Sequence, residues 1–112
     1  METITWNDFE KVELRAGTII SVEEFPEAIN PSYKIKVDLG KQLGIKKSSA
    51  QITDLYTKSQ LIDKQVIVVT NLKSKKIGPF ISECLITGFY NIKSEVILSK
   101  IDKMVPDGTL LM

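Results

Sequence analysis

The sequence predicts an all-β domain, a small curled sheet of five strands with one helical interruption. Three observations carry that expectation. Runs of β-branched and alternating residues recur along the chain, glycine and proline punctuate them at short intervals, and only Thr5–Glu10 and Thr53–Ile62 show helical spacing. With 112 residues, 43% of them hydrophobic and 26% charged, residues 1–112 read as one domain able to bury a core without disulfides or a structural metal.

Thr5 followed three residues later by Asp8 has the pattern of a capping box, which predicts a short helix through Glu10. Val12–Phe25 then reads as a long strand. Gly17 inside it suggests a bulge or sharp coil, the device that bends one strand around a small barrel. Pro26 and Asn30-Pro31 mark a loop. Next, Tyr33, Ile35, Val37 and Leu39 alternate with Lys34, Lys36 and Asp38, giving a strand with one apolar and one charged face. Gly40 and Gly44 bracket a turn into a polar strand, Ile45–Ile52. After the helical turns of Thr53–Ile62, Gln65–Leu72 has the consecutive valines and isoleucine of a buried strand. A basic loop, Lys73–Lys76, leads through Gly78-Pro79 to strands near Ser82–Tyr90 and Glu95–Ser99. Pro106-Asp107-Gly108 turns the chain into an apolar end. Three strands, a helical segment and two or three further strands is the order of an OB-fold, a five-stranded Greek-key barrel with its helix between the third and fourth strands.

Several chemistries are missing. With no histidine there is no Ser-His or Cys-His pair, no HExxH and no Cys/His zinc site. Neither GxxxxGK[ST] nor GxGxxG occurs, and Glu23, Glu24 and Glu27 fall at a strand end where solvated acids are ordinary. An enzyme is not expected, nor a cofactor or metal. The acidic N-terminus lacks the basic start and apolar core of a signal peptide, and Val66–Leu72 is too short to span a bilayer. These features predict a cytoplasmic protein without membrane insertion, with Cys84 a reduced core thiol.

Net charge is only +1, but fourteen of the fifteen cations are lysines. Lysine suits phosphate contacts and lacks the planar fork that reads guanine edges, so a nucleic acid would be recognised by backbone and shape. Three lysine groups stand out: Lys34 with Lys36, Lys46 with Lys47, and Lys73 with Lys75 and Lys76. On an OB barrel the second and third strands and the loop after the fourth lie on one side, so the groups are expected to converge. Ser48, Ser49 and Gln51 add neutral polar groups beside them, and Tyr33 could stack a base. Arg15, the lone arginine, is expected to be structural, with Asp38 or Glu83 as its acceptor.

Longer motifs connect these residues to a known family. Phe9-x-Lys11-Val-x-Leu-Arg15-x-Gly17-x-Ile19, Pro26-x-Ala28 with Tyr33-Lys34-x-x-Val37-Asp38-x-Gly40, and Gln65-Val66-x-x-Val69-x-Asn71-Leu72 with Ile77-Gly78 and Ser82-Glu83 resemble the tRNA-binding domain family. Asn30–Lys34, Ser48–Thr53 and Ile77–Phe80 are similar to its CsaA branch, described as a secretion-related chaperone. The resemblance implies an OB-fold homodimer that binds tRNA and, in the CsaA branch, unfolded or exported polypeptides. It also adds Ser82 to the tRNA-facing residues. Leu85 stands where the family usually has methionine, and Leu72-Lys73-Ser74 replaces a phenylalanine-diproline loop, adding charge where rigidity is usual. Dimerisation has its own physical reading. Ile4, Trp6 and Phe9, together with Leu110, Leu111 and Met112, form apolar termini that a partner copy would cover.

Overall fold

The computed structural model describes residues 1–112. Helix α1 (Trp6–Phe9) starts at the capping box: the Thr5 hydroxyl accepts from the Asp8 N–H at 3.1 Å, and the Asp8 carboxylate accepts from the Thr5 N–H at 3.3 Å. Strand β1 (Leu14–Glu24) is the axis of the molecule. Its first half pairs antiparallel with β4 (Gln65–Val69), and its second half pairs with β2 (Tyr33–Asp38). One strand can serve two partners in this way only if it bends. The bend lies at Ile20, which is inserted between the Ile19–Val37 and Ser21–Lys36 pairs as a bulge.

The expected bulge at Gly17 is therefore displaced. Gly17 has a different task, because a Cβ there would come within 2.5 Å of Val37 Cγ1 and 2.7 Å of Leu39 Cδ2. The missing side chain lets β2 fold over β1.

Strand β2 alternates as its sequence predicts, with Tyr33, Ile35 and Val37 buried and the lysines outside. The turn expected at Gly40–Gly44 is one turn of helix, α2 (Gly40–Leu43), closed by the Gly44 N–H on the Gly40 carbonyl at 2.7 Å. Strand β3 (Ile45–Ala50) runs antiparallel to β2. Helix α3 (Lys58–Leu61) has its own capping box, Thr57 with Gln60, and drops Leu61 into the core. The five-stranded sheet has the order β3-β2-β1-β4-β7, where β7 is Leu85–Ile86. It nearly closes, because the chain just before β7 bonds β3: Glu83 N–H donates to Lys47 O at 2.7 Å, and the Ser48 hydroxyl donates to Cys84 O at 3.0 Å. This is an OB-like barrel.

The strand expected over Ser82–Tyr90 is three short pieces. The ribbon β5 (Lys75–Ile77) with β6 (Phe80–Ser82) comes first, then β7, then the hairpin β8 (Gly88–Tyr90) with β9 (Val96–Leu98). The chain bonds in turn to β5, β3, β4 and β9, and each change of partner ends a ladder. Inside, Ile19, Ile35, Val37, Leu39, Leu61, Val66 and Val68 form the centre of the core, and Cys84 is buried beside them. Burial, assisted by the neighbouring Glu83 charge, pushes the Cys84 thiol up to about 11.

Arg15 is structural, but with other partners than expected. Its Nε donates to Glu13 at 2.8 Å and a guanidinium nitrogen donates to Gly108 O at 2.7 Å, holding the Glu13 carboxyl below its usual range. Asp38 instead accepts from the Gly40 N–H, and Glu83 from the Lys47 N–H. Gly108 belongs to a C-terminal segment that lies along the start of β1, where Ala16 N–H donates to Thr109 O and Leu111 N–H to Leu14 O. Helix α1 leads into this same start of β1. Ile4, Trp6, Leu110, Leu111 and Met112 stay exposed there, with Phe9 partly covered under Trp6.

Candidate nucleic-acid interface

Strand alternation sorts the lysines. Directly opposed residues of an antiparallel pair share a face, and the β2–β3 register sets Lys36 against Lys47 and Lys34 against Ser49. These four look outward. Lys34 lies 3.8 Å from Glu23 on β1 and has its ammonium 5.8 Å from the Phe25 ring centre. Lys47 stands 5.5 Å from the ring of Phe80, which meets Phe25 edge-on at 5.3 Å. Lys36 and Lys47 have no carboxylate partner on this face, whereas Lys34 is paired with Glu23.

A second set lines a groove of about 550 Å³ between the end of β3, the β5–β6 ribbon and the β8–β9 hairpin. Ser49, Gln51, Lys73, Lys75 and Ser82 line it together with Leu72, Ile77, Leu85, Tyr90 and Val96. Lys75 opposes Ser82 across the ribbon, and the Ser82 hydroxyl accepts from the Ser49 N–H at 3.0 Å, joining the ribbon to β3. Lys73 and Lys75 have no carboxylate partner, since the salt bridges involve Lys11, Arg15, Lys34 and Lys58. Tyr90, opposite Val96 across its hairpin, lines the groove beside Phe89 and is 78% exposed. Ser49 belongs to both sets.

Four of the sequence-predicted contacts fall elsewhere. Tyr33 is only 7% exposed and its hydroxyl donates to Tyr56 O at 2.9 Å, so it cannot stack a base. Ser48 is wholly buried with its hydroxyl on Cys84 O. Lys46 precedes Lys47 on the same strand and so takes the opposite face, and Lys76 alternates with Lys75 in the same way. The single converging lysine surface expected from the sequence is therefore two surfaces that touch at Ser49. Tyr90 went unnoticed in the sequence because Phe89-Tyr90 reads there as the end of a long apolar strand.

This geometry has known relatives. The model of the family described as "Putative tRNA binding domain" matches residues 14–110. The chain belongs to this tRNA-binding domain family. Among solved structures it is similar to the CsaA chaperone protein of Picrophilus torridus, 44% identical with a TM-score of 0.92, covering 98% of this chain and 100% of that one. It is also similar to the CsaA chaperone of Bacillus anthracis, at 36% identity and a TM-score of 0.92, with 99% and 100% covered. The methionine–tRNA ligase of Pyrococcus horikoshii is 40% identical over 77 residues, 69% of this chain. The chain matches only 10% of that ligase's length.

Proposed function

We propose that this protein binds tRNA as a homodimer, through phosphate contacts and shape, and converts nothing chemically. The observation that carries the reading is the groove in which Lys73 and Lys75 stand without carboxylate partners beside Ser49, Gln51 and Ser82. Unpaired ammonium groups beside neutral hydrogen-bonding groups suit a phosphate backbone. Lys36 and Lys47 on the adjoining sheet face extend the contact, and Lys34 contributes less because Glu23 competes for it. The 112 residues act as one domain, in the cytoplasm where tRNA resides. Fluorescence titration of tRNA at low and moderate salt tests the reading. Affinity is expected to fall at least tenfold, roughly, as salt displaces the advantage of counterion release. Affinity for tRNA no tighter than for random duplex DNA overturns it.

A second reading has its own observation. Leu72, Ile77, Leu85 and Val96 make much of the groove apolar, and the two similar solved structures are of chaperones. Such a groove could hold extended segments of unfolded or exported polypeptides. Binding of a hydrophobic peptide is then expected to hold or strengthen as salt rises, opposite to tRNA. Peptide binding that falls with salt as tRNA binding does removes this second reading.

A further inference from the structure

We propose that the groove is a pocket for one unpaired RNA nucleotide, with Tyr90 as the stacking platform. The inference rests on the tRNA-binding reading and narrows it, because phosphate-and-shape recognition alone needs no base contact. The groove is concave and, at about 550 Å³, has the size of a small-ligand site. A base turned out of a loop fits such a space, with its own phosphate at the rim.

The walls fit that occupant in three respects. The β8–β9 register sets Tyr90 opposite Val96, on the same face of the hairpin, and both line the groove; Phe89, opposite Ile97, borders it as well. The Tyr90 hydroxyl makes no intramolecular hydrogen bond, unlike those of Tyr33 and Tyr56. Gln51 and Ser49 also line the groove, and neither the Gln51 amide nor the Ser49 hydroxyl has an intramolecular hydrogen-bond partner, which leaves them free to bond a base edge. Lys73 and Lys75 stand at the same groove for the adjoining phosphate. An apolar peptide would cover these cations without compensating them, a cost that an anionic nucleotide avoids.

The hairpin fixes the backbone that carries the ring. Gly88 lets β8 lie against β9, since a Cβ there would come within 2.7 Å of Val96 Cγ1 and 2.8 Å of Ile97 O. At the tip, the Asn91 side chain accepts from the N–H groups of Lys93 and Glu95 and donates to the Glu95 carboxylate at 2.9 Å. The backbone that carries the ring is thus bonded in place before binding, which limits the cost of ordering the hairpin.

The test compares a short single-stranded RNA, a blunt RNA duplex and intact tRNA on the full chain, with Tyr90→Ala and Tyr90→Phe. Tyr90→Ala is expected to weaken the single strand about tenfold, to leave the duplex unchanged, and to be rescued in Tyr90→Phe, which keeps the ring. Tyr90 is exposed, so folding is expected to persist, and circular dichroism checks it. Single-strand affinity that does not change in Tyr90→Ala overturns the nucleotide pocket. If tRNA still binds in a salt-dependent way in that case, the general RNA reading survives and only the pocket falls. A hydrophobic peptide whose binding depends on Tyr90 while the single strand's does not also overturns it and assigns the groove to polypeptide. Loss of all three RNA ligands from the wild-type protein overturns both readings.

Discussion

At the scale of single residues, the structure makes two sharp claims. Cys84 is 6% exposed, its thiol raised to about 11 from an ordinary 9.0, chiefly by burial. The unfolded thiol loses its proton above pH 9 while the folded one keeps it. Stability is therefore fully present below pH 9 and falls as pH climbs toward 11, by on the order of 2 kcal/mol from this group alone. Urea unfolding at pH 8 and pH 10.5 should show a smaller alkaline loss for Cys84→Ala than for the wild type; equal losses would remove the claim. The second claim concerns Gly17. A methyl there meets Val37 and Leu39 at separations no real contact tolerates, so Gly17→Ala is expected to cost about 1–3 kcal/mol by overpacking, read as a lower urea midpoint. The need for a special residue at position 17 was legible in the sequence, but its reason was not. A glycine in a strand is consistent with a bulge or with a close crossing, and only the register of Ile19, Ile20 and Ser21 against β2 separates the two.

At the scale of elements, legibility follows periodicity. Strand β2 and the Thr5–Asp8 cap could be read directly, because alternation and a capping box are local patterns decided by neighbouring residues. The run from Ser82 to Tyr90 could not. Its division into the end of β6, then β7 and β8 is imposed by which distant strand each residue bonds, and nothing local encodes that. The same difference governs the candidate site. Grouping lysines by closeness in sequence joined Lys46 to Lys47 and Lys75 to Lys76, yet on a strand adjacent residues face apart. The ribbon therefore gives a direct comparison. Lys75 opposes Ser82 in the groove, and Lys76 opposes Ile81 on the other face. Lys75→Glu is expected to weaken tRNA binding roughly tenfold or more, since charge reversal replaces attraction with repulsion. Lys76→Glu, with the same change in net charge, should have the smaller effect in filter-binding titrations. Equal losses would mean that net charge matters and the groove does not.

At the scale of the whole molecule, a net charge of +1 provides little overall attraction for a polyanion. Affinity must come from local groups used together, and two copies held in fixed relation multiply them. The proposed dimer face supplies that relation. Trp6, on the helix that leads into β1, is 72% exposed, and Leu110, on the C-terminal segment bonded along the start of β1, is 54% exposed. Their exposure means that these apolar side chains do not close the ends of the chain's own barrel. A C₂ pairing would cover the patch on both copies and set two lysine-lined grooves on one particle. Trp6→Glu combined with Leu110→Lys places charge in that patch without touching the core or the groove. Sedimentation velocity is expected to show a dimer for the wild-type protein and a monomer for the double variant. If each groove contacts the same tRNA, the monomer should also bind tRNA at least tenfold more weakly, roughly, while its affinity for a short single strand that reaches only one groove stays the same. A wild-type protein that sediments as a monomer at micromolar concentration removes the dimer. A monomeric variant that binds tRNA as tightly as the dimer keeps the dimer but assigns each tRNA to a single groove.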